Sequence, residues 1–142
     1  MLQTKYIVEN QAEVIEKLKV KNFDASPILP QIEEKNDLRK KLQKELDATL
    51  AEANQIAKSI GQLFKEGRRE EAEQMKARSN ELKNLSKSLS DESAANDKAL
   101  QDLVLALPNL PHETVKQGKG EDDNEILSEH GNIPILGSSK LP

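Results

Sequence analysis

Apolar residues recur at steps of three and four along two long stretches of the chain, and this spacing predicts two long amphipathic helices. The first stretch carries Ile28, Ile32, Leu38, Leu42, Leu46, Leu50, Ala53, Ile56, Ile60 and Leu63. The second carries Ala72, Met75, Leu82, Leu85, Leu89, Leu100, Leu103 and Leu107. One apolar stripe per helix is typical of a coiled coil. The predicted fold is therefore all-α, a long antiparallel two-helix hairpin over residues 27–107.

The two stripes face each other if the chain folds back within its charged segment, residues 65–69. Facing apolar positions then lie symmetrically about the Gly67–Arg68 bond, and the pairs are Leu63 with Ala72, Ile60 with Met75, Ala53 with Leu82, Leu50 with Leu85, Leu46 with Leu89, Ile32 with Leu103 and Ile28 with Leu107. Gly67 can adopt the positive φ that ends a helix. Near the open end Leu38 is expected opposite Asp97, a polar interruption that weakens a coil but fixes its register.

The segment before the arm, residues 1–26, is predicted to form a small helical base. Residues 2–8 alternate in polarity and are expected to be a short lead-in. Asn10 is predicted to cap a short helix, with Glu13 completing a capping box. Phe23 is expected to pack back onto that helix, and Pro30 suits the first turn of the long arm.

Two residues of the first arm depart from the pattern of a simple amphipathic helix. Gly61 costs about 1 kcal/mol relative to alanine inside a helix. It is expected to allow close approach of the facing helix or of a ligand. Asn54 lies beside the seam, where it is either a surface amide or a group that binds a ligand.

The helical pattern ends after Leu107, where Pro108 and Pro111 break the helix. Residues 108–136 are predicted to be a linker that contains an acidic, turn-rich stretch, and residues 137–142 to be a tail or a cloning remnant. The two histidines are isolated, so no metal site is expected.

Composition favours a solvated helical hairpin over a compact enzyme, because 32% of residues are charged and 2% are aromatic. The chain has no cysteine, which excludes disulfides and thiolate metal sites. No apolar run approaches the ~18 residues of a membrane span, and no signal peptide is visible. A cytoplasmic protein with no membrane partner is expected.

The net charge of −4 conceals an uneven distribution along the chain. Residues 57–88, the distal half of the hairpin, contain eight basic and five acidic residues, whereas residues 89–142 contain four basic and ten acidic ones. A basic tip on an acidic protein is a candidate surface for a polyanion. The same charges also suit an ordinary solvated helix face with ion pairs between neighbouring turns.

Three segments resemble the N-terminal tRNA-binding domain of bacterial seryl-tRNA synthetase. They are the start of the chain with Ile7-Val8-Glu9-Asn10, the block Asn54-Gln55-Ile56-Ala57-Lys58-Ser59-Ile60-Gly61, and the exit Leu107-Pro108-Asn109-Leu110-Pro111-His112 followed by Gly118 and Glu121-Asp122-Asp123-Asn124. The resemblance covers roughly residues 1–130. The proline-rich exit with its acidic continuation is the most specific part, because coiled coils resemble one another. Val115-Lys116 lacks a proline that the family often has there.

The resemblance implies that the hairpin grips the long variable arm and elbow of serine tRNA and presents the 3′ end to a class II catalytic domain. That domain ligates serine to tRNA with ATP and Mg²⁺ and forms a homodimer in the family. No class II motif occurs in these 142 residues, so no catalytic residue and no cofactor are expected here. DNA is not an expected partner.

Lysine and arginine on a rigid rod can follow the phosphates of an RNA duplex, which proteins recognise largely by shape and backbone. On position and charge, the candidate tRNA contacts are Asn54, Gln55, Lys58, Lys65, Arg68, Arg69, Lys76, Arg78 and Lys83. The basic residues Arg39, Lys40, Lys41 and Lys44 are weaker candidates, because acidic neighbours can pair with them. Two alternatives remain: a chaperone-like hairpin that holds a protein at its tip, and a regulatory coiled coil that binds a partner helix.

Overall fold

The computed structural model describes residues 2–128 and 130–131. Over this part of the chain the secondary structure is helical, with no strand: α1 (Thr4–Glu9), α2 (Gln11–Lys19), α3 (Leu29–Lys65), α4 (Arg69–Ala106) and a short 3-10 turn at Glu121–Asp123. The predicted all-α class is confirmed. The tail expected at residues 137–142 lies outside the described residues.

Helices α3 and α4 form the antiparallel hairpin that the sequence predicts, with the short helices α1 and α2 at its open end. The long helices contain 37 and 38 residues, so the arm extends about 55 Å at 1.5 Å per residue. Pro30 occupies the first turn of α3. At the tip Gly67 has a φ of 79°, and the Arg68 backbone N–H donates to the Leu63 carbonyl at 3.0 Å. This pair of features ends α3 in the way expected of a glycine C-cap.

The seam between the long helices keeps the predicted symmetry about the tip but uses different residues at the level of Leu50 and Leu85. Leu50 and Leu85 are 45% and 48% exposed, so their predicted pairing in the seam is wrong. Thr49 and Ser86 hold the inward positions instead, because the three-four spacing through Leu46 requires them there. The Thr49 hydroxyl donates to the Glu45 carbonyl at 2.8 Å, and the Ser86 hydroxyl to the Lys83 carbonyl at 3.0 Å. Each hydroxyl therefore enters the seam with a hydrogen-bond partner in its own helix.

The polar interruption near the open end involves two asparagines rather than Asp97, which is exposed. Asn36 and Asn96 are both buried. The Asn96 side-chain amide donates to the Lys35 carbonyl at 2.9 Å and so joins the two long helices. Its Oδ1 atom is buried without a hydrogen-bond partner among the described residues. The expectation of a polar seam holds, with the polar group one position away from the predicted one.

The base contains the main hydrophobic core, to which all four helices contribute. Its buried members are Ile7, Val14, Leu18, Ala25, Leu29, Ile32, Leu100, Val104 and Leu107. Phe23 packs against this cluster, as predicted. The arm is therefore anchored at one end by a three-dimensional core, whereas beyond it the two helices hold only each other.

Two predictions for the base are wrong. The first residues form helix α1 rather than a lead-in. Asn10 precedes α2 but makes no capping hydrogen bond with its side chain, which donates to the Tyr6 carbonyl at 3.0 Å instead. Glu13 does not close a capping box and pairs with Lys17 at 2.7 Å. The chain turns directly from α1 into α2, and this short turn directs the asparagine back to the preceding helix.

Gly61 does not provide close approach of the facing helix. The residue is exposed, and a Cβ atom built on it would meet nothing within 4 Å.

Beyond Leu107 the chain runs back over the base, where the Lys21 ammonium donates to the Asn109 carbonyl at 2.7 Å. The Asn22 side chain donates to the Gly118 carbonyl at 2.8 Å in the same region.

Candidate nucleic-acid interface

The coiled-coil geometry divides the distal arm into two flanks and an outer face. Residues seven positions apart lie on the same side of a coiled coil. Leu50 and Phe64 of α3 are therefore on one side, and Arg69, Lys76 and Lys83 of α4 border the same side. We call this set of five residues the cationic flank.

Two contacts show that the residues of the cationic flank lie together across the seam. The Lys76 ammonium is 5.0 Å from the centroid of the Phe64 ring, within the range of a cation–π interaction. Leu50 and Lys83 line one open groove, to which Lys87 and Asp91 also contribute. Phe64 is 42% exposed, so an aromatic surface and an aliphatic one are open to solvent between the basic side chains.

The opposite side of the arm, which we call the acidic flank, has a different charge. It comprises Glu45, Glu52 and Glu66 of α3 and Glu71, Arg78, Leu85 and Glu92 of α4. The Arg78 guanidinium donates to the Glu52 carboxylate at 2.9 Å and to the Glu81 carboxylate at 3.0 Å. These hydrogen bonds raise the pKa of Arg78, first through Glu52 and then through Glu81. The one cation of this flank is thus neutralised by two carboxylates.

Arg68 at the tip is also engaged by acidic neighbours. Its Nε atom donates to the Glu71 carboxylate at 2.8 Å, and a guanidinium nitrogen lies 3.6 Å from the Glu66 carboxylate. The hydrogen bond with Glu71 is the main cause of the raised pKa of Arg68. Arg68 therefore belongs with the acidic flank in its contacts.

The outer face of α3 carries Lys58 and Lys65, which are one heptad apart and point away from the seam. Within residues 2–128 and 130–131, no carboxylate lies within 4.0 Å of either ammonium group. Asn54 and Gln55 are both exposed. Helical spacing places Asn54 between the outer face and the cationic flank, whereas Gln55 borders the acidic flank.

The nine candidate tRNA contacts predicted from the sequence therefore do not form one surface. Arg69, Lys76 and Lys83 share a flank, with Asn54 beside them. Lys58 and Lys65 follow on the adjoining outer face. Gln55, Arg68 and Arg78 lie at or towards the opposite, acidic side.

A choice of candidates by charge and position does not include Phe64, Leu50 and Lys87, which lie on or beside the cationic flank. A usable signal was present for Phe64, because the apolar stripe passes through Leu63 and leaves the next residue outside the seam. An aromatic residue at such a position in an aromatic-poor chain is unusual. Leu50 was missed because hydrophobicity alone assigned it to the seam.

The weaker candidates near the base lie among acidic residues. Lys40 pairs with Asp37 at 3.0 Å, and Lys41 lies 4.0 Å from Glu45. Arg39 and Lys44 line a groove that also contains Asp47 and Asp97. This part of the arm therefore presents mixed charge rather than a cationic surface.

Neither a metal site nor a membrane-crossing helix occurs among the described residues. They contain no group of three or more His, Cys, Asp or Glu side chains arranged to hold a metal ion. None of their helices combines the length and the apolar character that crossing a membrane requires.

The sequence is similar to several serine–tRNA ligases. It is 36% identical over 137 residues to the enzyme of Mycoplasma capricolum and 35% identical over 138 residues to that of Coxiella burnetii. Identity to the enzyme of Metamycoplasma arthritidis is 30% over 133 residues. Each alignment includes 94% of this chain but only 31–32% of the relative, so the chain spans about a third of the length of these proteins.

A family model agrees with these relatives and with the helical hairpin. The model described as the seryl-tRNA synthetase N-terminal domain matches residues 1–111, which include the base, both long helices and the proline-rich exit. The chain belongs to the family of seryl-tRNA synthetase N-terminal domains.

Proposed function

We propose that this chain is the tRNA-binding arm of a serine–tRNA ligase and that it recognises the long variable arm and elbow of serine tRNA. The observation that carries the proposal is the set of cations on the cationic flank and the outer face of a long helical rod. The family to which the chain belongs is named for this enzyme. A rod that presents lysines at one-heptad intervals can follow phosphates along an RNA duplex.

The charge distribution supports a distal rather than a basal binding surface. Lys58, Lys65 and Lys83 have no carboxylate within 4.0 Å in the described part of the chain, whereas Lys40 and Arg78 are paired. A cation without an acidic partner can neutralise a phosphate without first breaking an ion pair. We therefore assign the phosphate contacts first to Lys58, Lys65 and Lys83. Lys76 of the cationic flank pairs with Glu73 at 2.6 Å and would exchange that carboxylate for a phosphate.

The remaining functions belong to the whole protein in this proposal. The parent protein is a class II ligase that joins serine to tRNA with ATP and Mg²⁺, acts in the cytoplasm and forms a homodimer through its catalytic domain. The hairpin supplies no catalytic residue and presents the 3′ end of the tRNA. Residues 108–136 act as the linker between the two parts. We expect the 142-residue chain alone to have no serine-dependent pyrophosphate exchange activity.

A salt titration of tRNA binding tests the proposal. The chain should bind serine tRNA more tightly than a tRNA with a short variable arm. The logarithm of its affinity should fall with the logarithm of salt concentration by about 0.7–0.9 for each phosphate contact. Equal, weak binding of both tRNAs at every salt concentration would contradict the proposal.

A protein-binding hairpin is the second candidate, and one observation favours it. Phe64 and Met75 are large apolar residues exposed in the distal arm, where a chaperone-like tip would hold a client. Capture of an unfolded protein by the chain, with no preference for serine tRNA, would support this alternative. The basic residues beside Phe64 favour the RNA-binding proposal.

A further inference from the structure

Phe64 is an exposed aromatic ring in a part of the arm where the seam does not require it. The inward positions near the tip are held by Leu63 and Ala72, both buried. Phe64 lies beside them and remains 42% exposed. Leaving this much aromatic surface in water sacrifices the burial that normally favours an aromatic side chain. Burial in the seam therefore does not by itself account for a phenylalanine here.

The surroundings of the ring have the chemistry of a site for a nucleobase. The Lys76 ammonium is 5.0 Å from the ring centroid, and the Glu73 carboxylate holds that ammonium at 2.6 Å. Lys83 lies one heptad further along the same flank, and Arg69 lies one heptad before Lys76. Proteins that bind unpaired nucleotides combine an aromatic platform for the base with basic groups for the adjoining phosphates.

On the basis of the proposed function, we propose that Phe64 is a stacking platform for an RNA nucleobase that is exposed rather than enclosed in a helix. Lys76, Lys83 and Arg69 hold the neighbouring phosphates. The cationic flank thus faces the tRNA, and the acidic flank faces away from it.

The contrast between the two flanks argues for RNA as the occupant. The acidic flank also exposes a large apolar residue, Leu85, but by heptad position it shares that flank with five glutamates and one paired arginine. The cationic flank has three basic residues, of which Lys76 is paired with Glu73. An apolar patch among glutamates would repel phosphates, whereas one among lysines attracts them. The charge complementarity therefore selects a polyanion that also offers an apolar face, and a nucleic acid meets both conditions.

A tryptophan reporter can test the stacking directly, because the chain contains no tryptophan. Phe64→Trp introduces one on the cationic flank, and Leu85→Trp introduces one on the acidic flank as the matched control. Saturating serine tRNA should quench the fluorescence of the first variant and leave that of the second nearly unchanged. Equal quenching in both variants, or none in the first while tRNA is bound, would overturn the assignment.

Affinity measurements separate stacking from charge. Phe64→Leu keeps an apolar side chain but removes the aromatic face, and it should weaken serine tRNA binding by roughly 5- to 100-fold. The salt dependence should not change, because the ring carries no charge. The combined change Lys76→Gln and Lys83→Gln should lower the slope of log affinity against log salt by about 1.4–1.8. There are two controls. One is Leu85→Ala, and the other is a double variant near the base of the hairpin, Lys5→Gln with Lys98→Gln.

The outcomes distinguish this inference from the proposed function. If the unmodified chain fails to prefer serine tRNA, the proposed function fails. If the unmodified chain binds serine tRNA but Phe64→Leu binds equally well with its helix content intact, the stacking site alone is overturned. Binding of a protein at Phe64 without an effect on tRNA would also overturn it.

Discussion

The base and the distal arm of this molecule are both helical, but they are stabilised in different ways. The base buries side chains from all four helices in one cluster, so residues such as Leu18 and Ile32 have neighbours on several sides. The distal arm has only the single seam, in which Thr49 and Ser86 occupy inward positions. The base therefore supplies most of the stability, while the arm leaves nearly its whole surface exposed to solvent.

The same substitution in the base and in the arm should therefore have unequal effects. Leu18→Ala removes a side chain that is fully buried in the base, and leucine-to-alanine changes in cores cost about 2–5 kcal/mol. We expect a loss of about 4 kcal/mol, near the upper end of this range. Urea denaturation followed by circular dichroism measures the loss. A smaller loss than that of Leu82→Ala in the seam would show that the base is not the more stable region.

The seam variant is Leu82→Ala, and it should cost about 2–3 kcal/mol. Leu82 is only 1% exposed, but a single facing helix covers it. The matched control is Leu85→Ala, three residues away and 48% exposed, which should change stability by less than about 0.5 kcal/mol. Comparable losses in the two variants would show that the seam runs through Leu85 after all.

This pair of leucines also shows how far the sequence could predict the fold. The three-four spacing predicts the hairpin, Gly67 predicts its tip, and Pro30 predicts its start. These features follow from the sequence because helix geometry and chain stiffness act locally. The choice between Leu85 and Ser86 was not local. It depends on continuous three-four spacing along the whole seam, which Ser86 continues. Hydrophobicity favours Leu85 over its neighbour and therefore predicts the wrong residue.

The candidate interface could be predicted only as a list of charges. Lys83 and Arg78 look equivalent in the sequence, but the structure places them on opposite flanks, and Glu52 from the other helix neutralises Arg78. Pairing across the seam joins residues that are 26 positions apart, and this pairing depends on the register. Charge alone also gives no reason to choose Phe64, because its ring is uncharged.

A buried asparagine lies at the junction of base and arm, and replacing it should change stability less than the leucine variants do. Asn96 makes one hydrogen bond across the seam and leaves its Oδ1 atom buried without a partner among the described residues. Asn96→Leu should raise stability by about 1 kcal/mol, because it removes the unsatisfied atom and adds apolar burial. The urea midpoint measures the gain. A lower midpoint would show that the hydrogen bond with Lys35 outweighs the unsatisfied oxygen.

The smallest expected effect concerns ion pairs, which also differ between base and arm. In the base, Lys17 lies 2.7 Å from Glu13, with side chains that are 32% and 42% exposed. Lys17, with a contribution from Tyr6, lowers the pKa of Glu13 below its ordinary value. In the arm, the Lys76–Glu73 pair is as close but its side chains are 48% and 63% exposed. Solvent weakens exposed pairs more strongly.

The pH dependence of melting distinguishes the two pairs. Because the pKa of Glu13 is lower in the folded state than in the unfolded chain, its ionised form stabilises the fold above the unfolded value near 4.3, and this contribution disappears as the pH falls through the folded value. The melting-temperature advantage of the unmodified chain over Glu13→Gln should therefore be present at pH 6 and shrink as the pH falls below about 4. The arm control, Glu73→Gln, should show a smaller advantage at pH 6, because solvent weakens its more exposed pair. An equal advantage over both variants at pH 6 would mean that the closer packing of the base does not strengthen its ion pair.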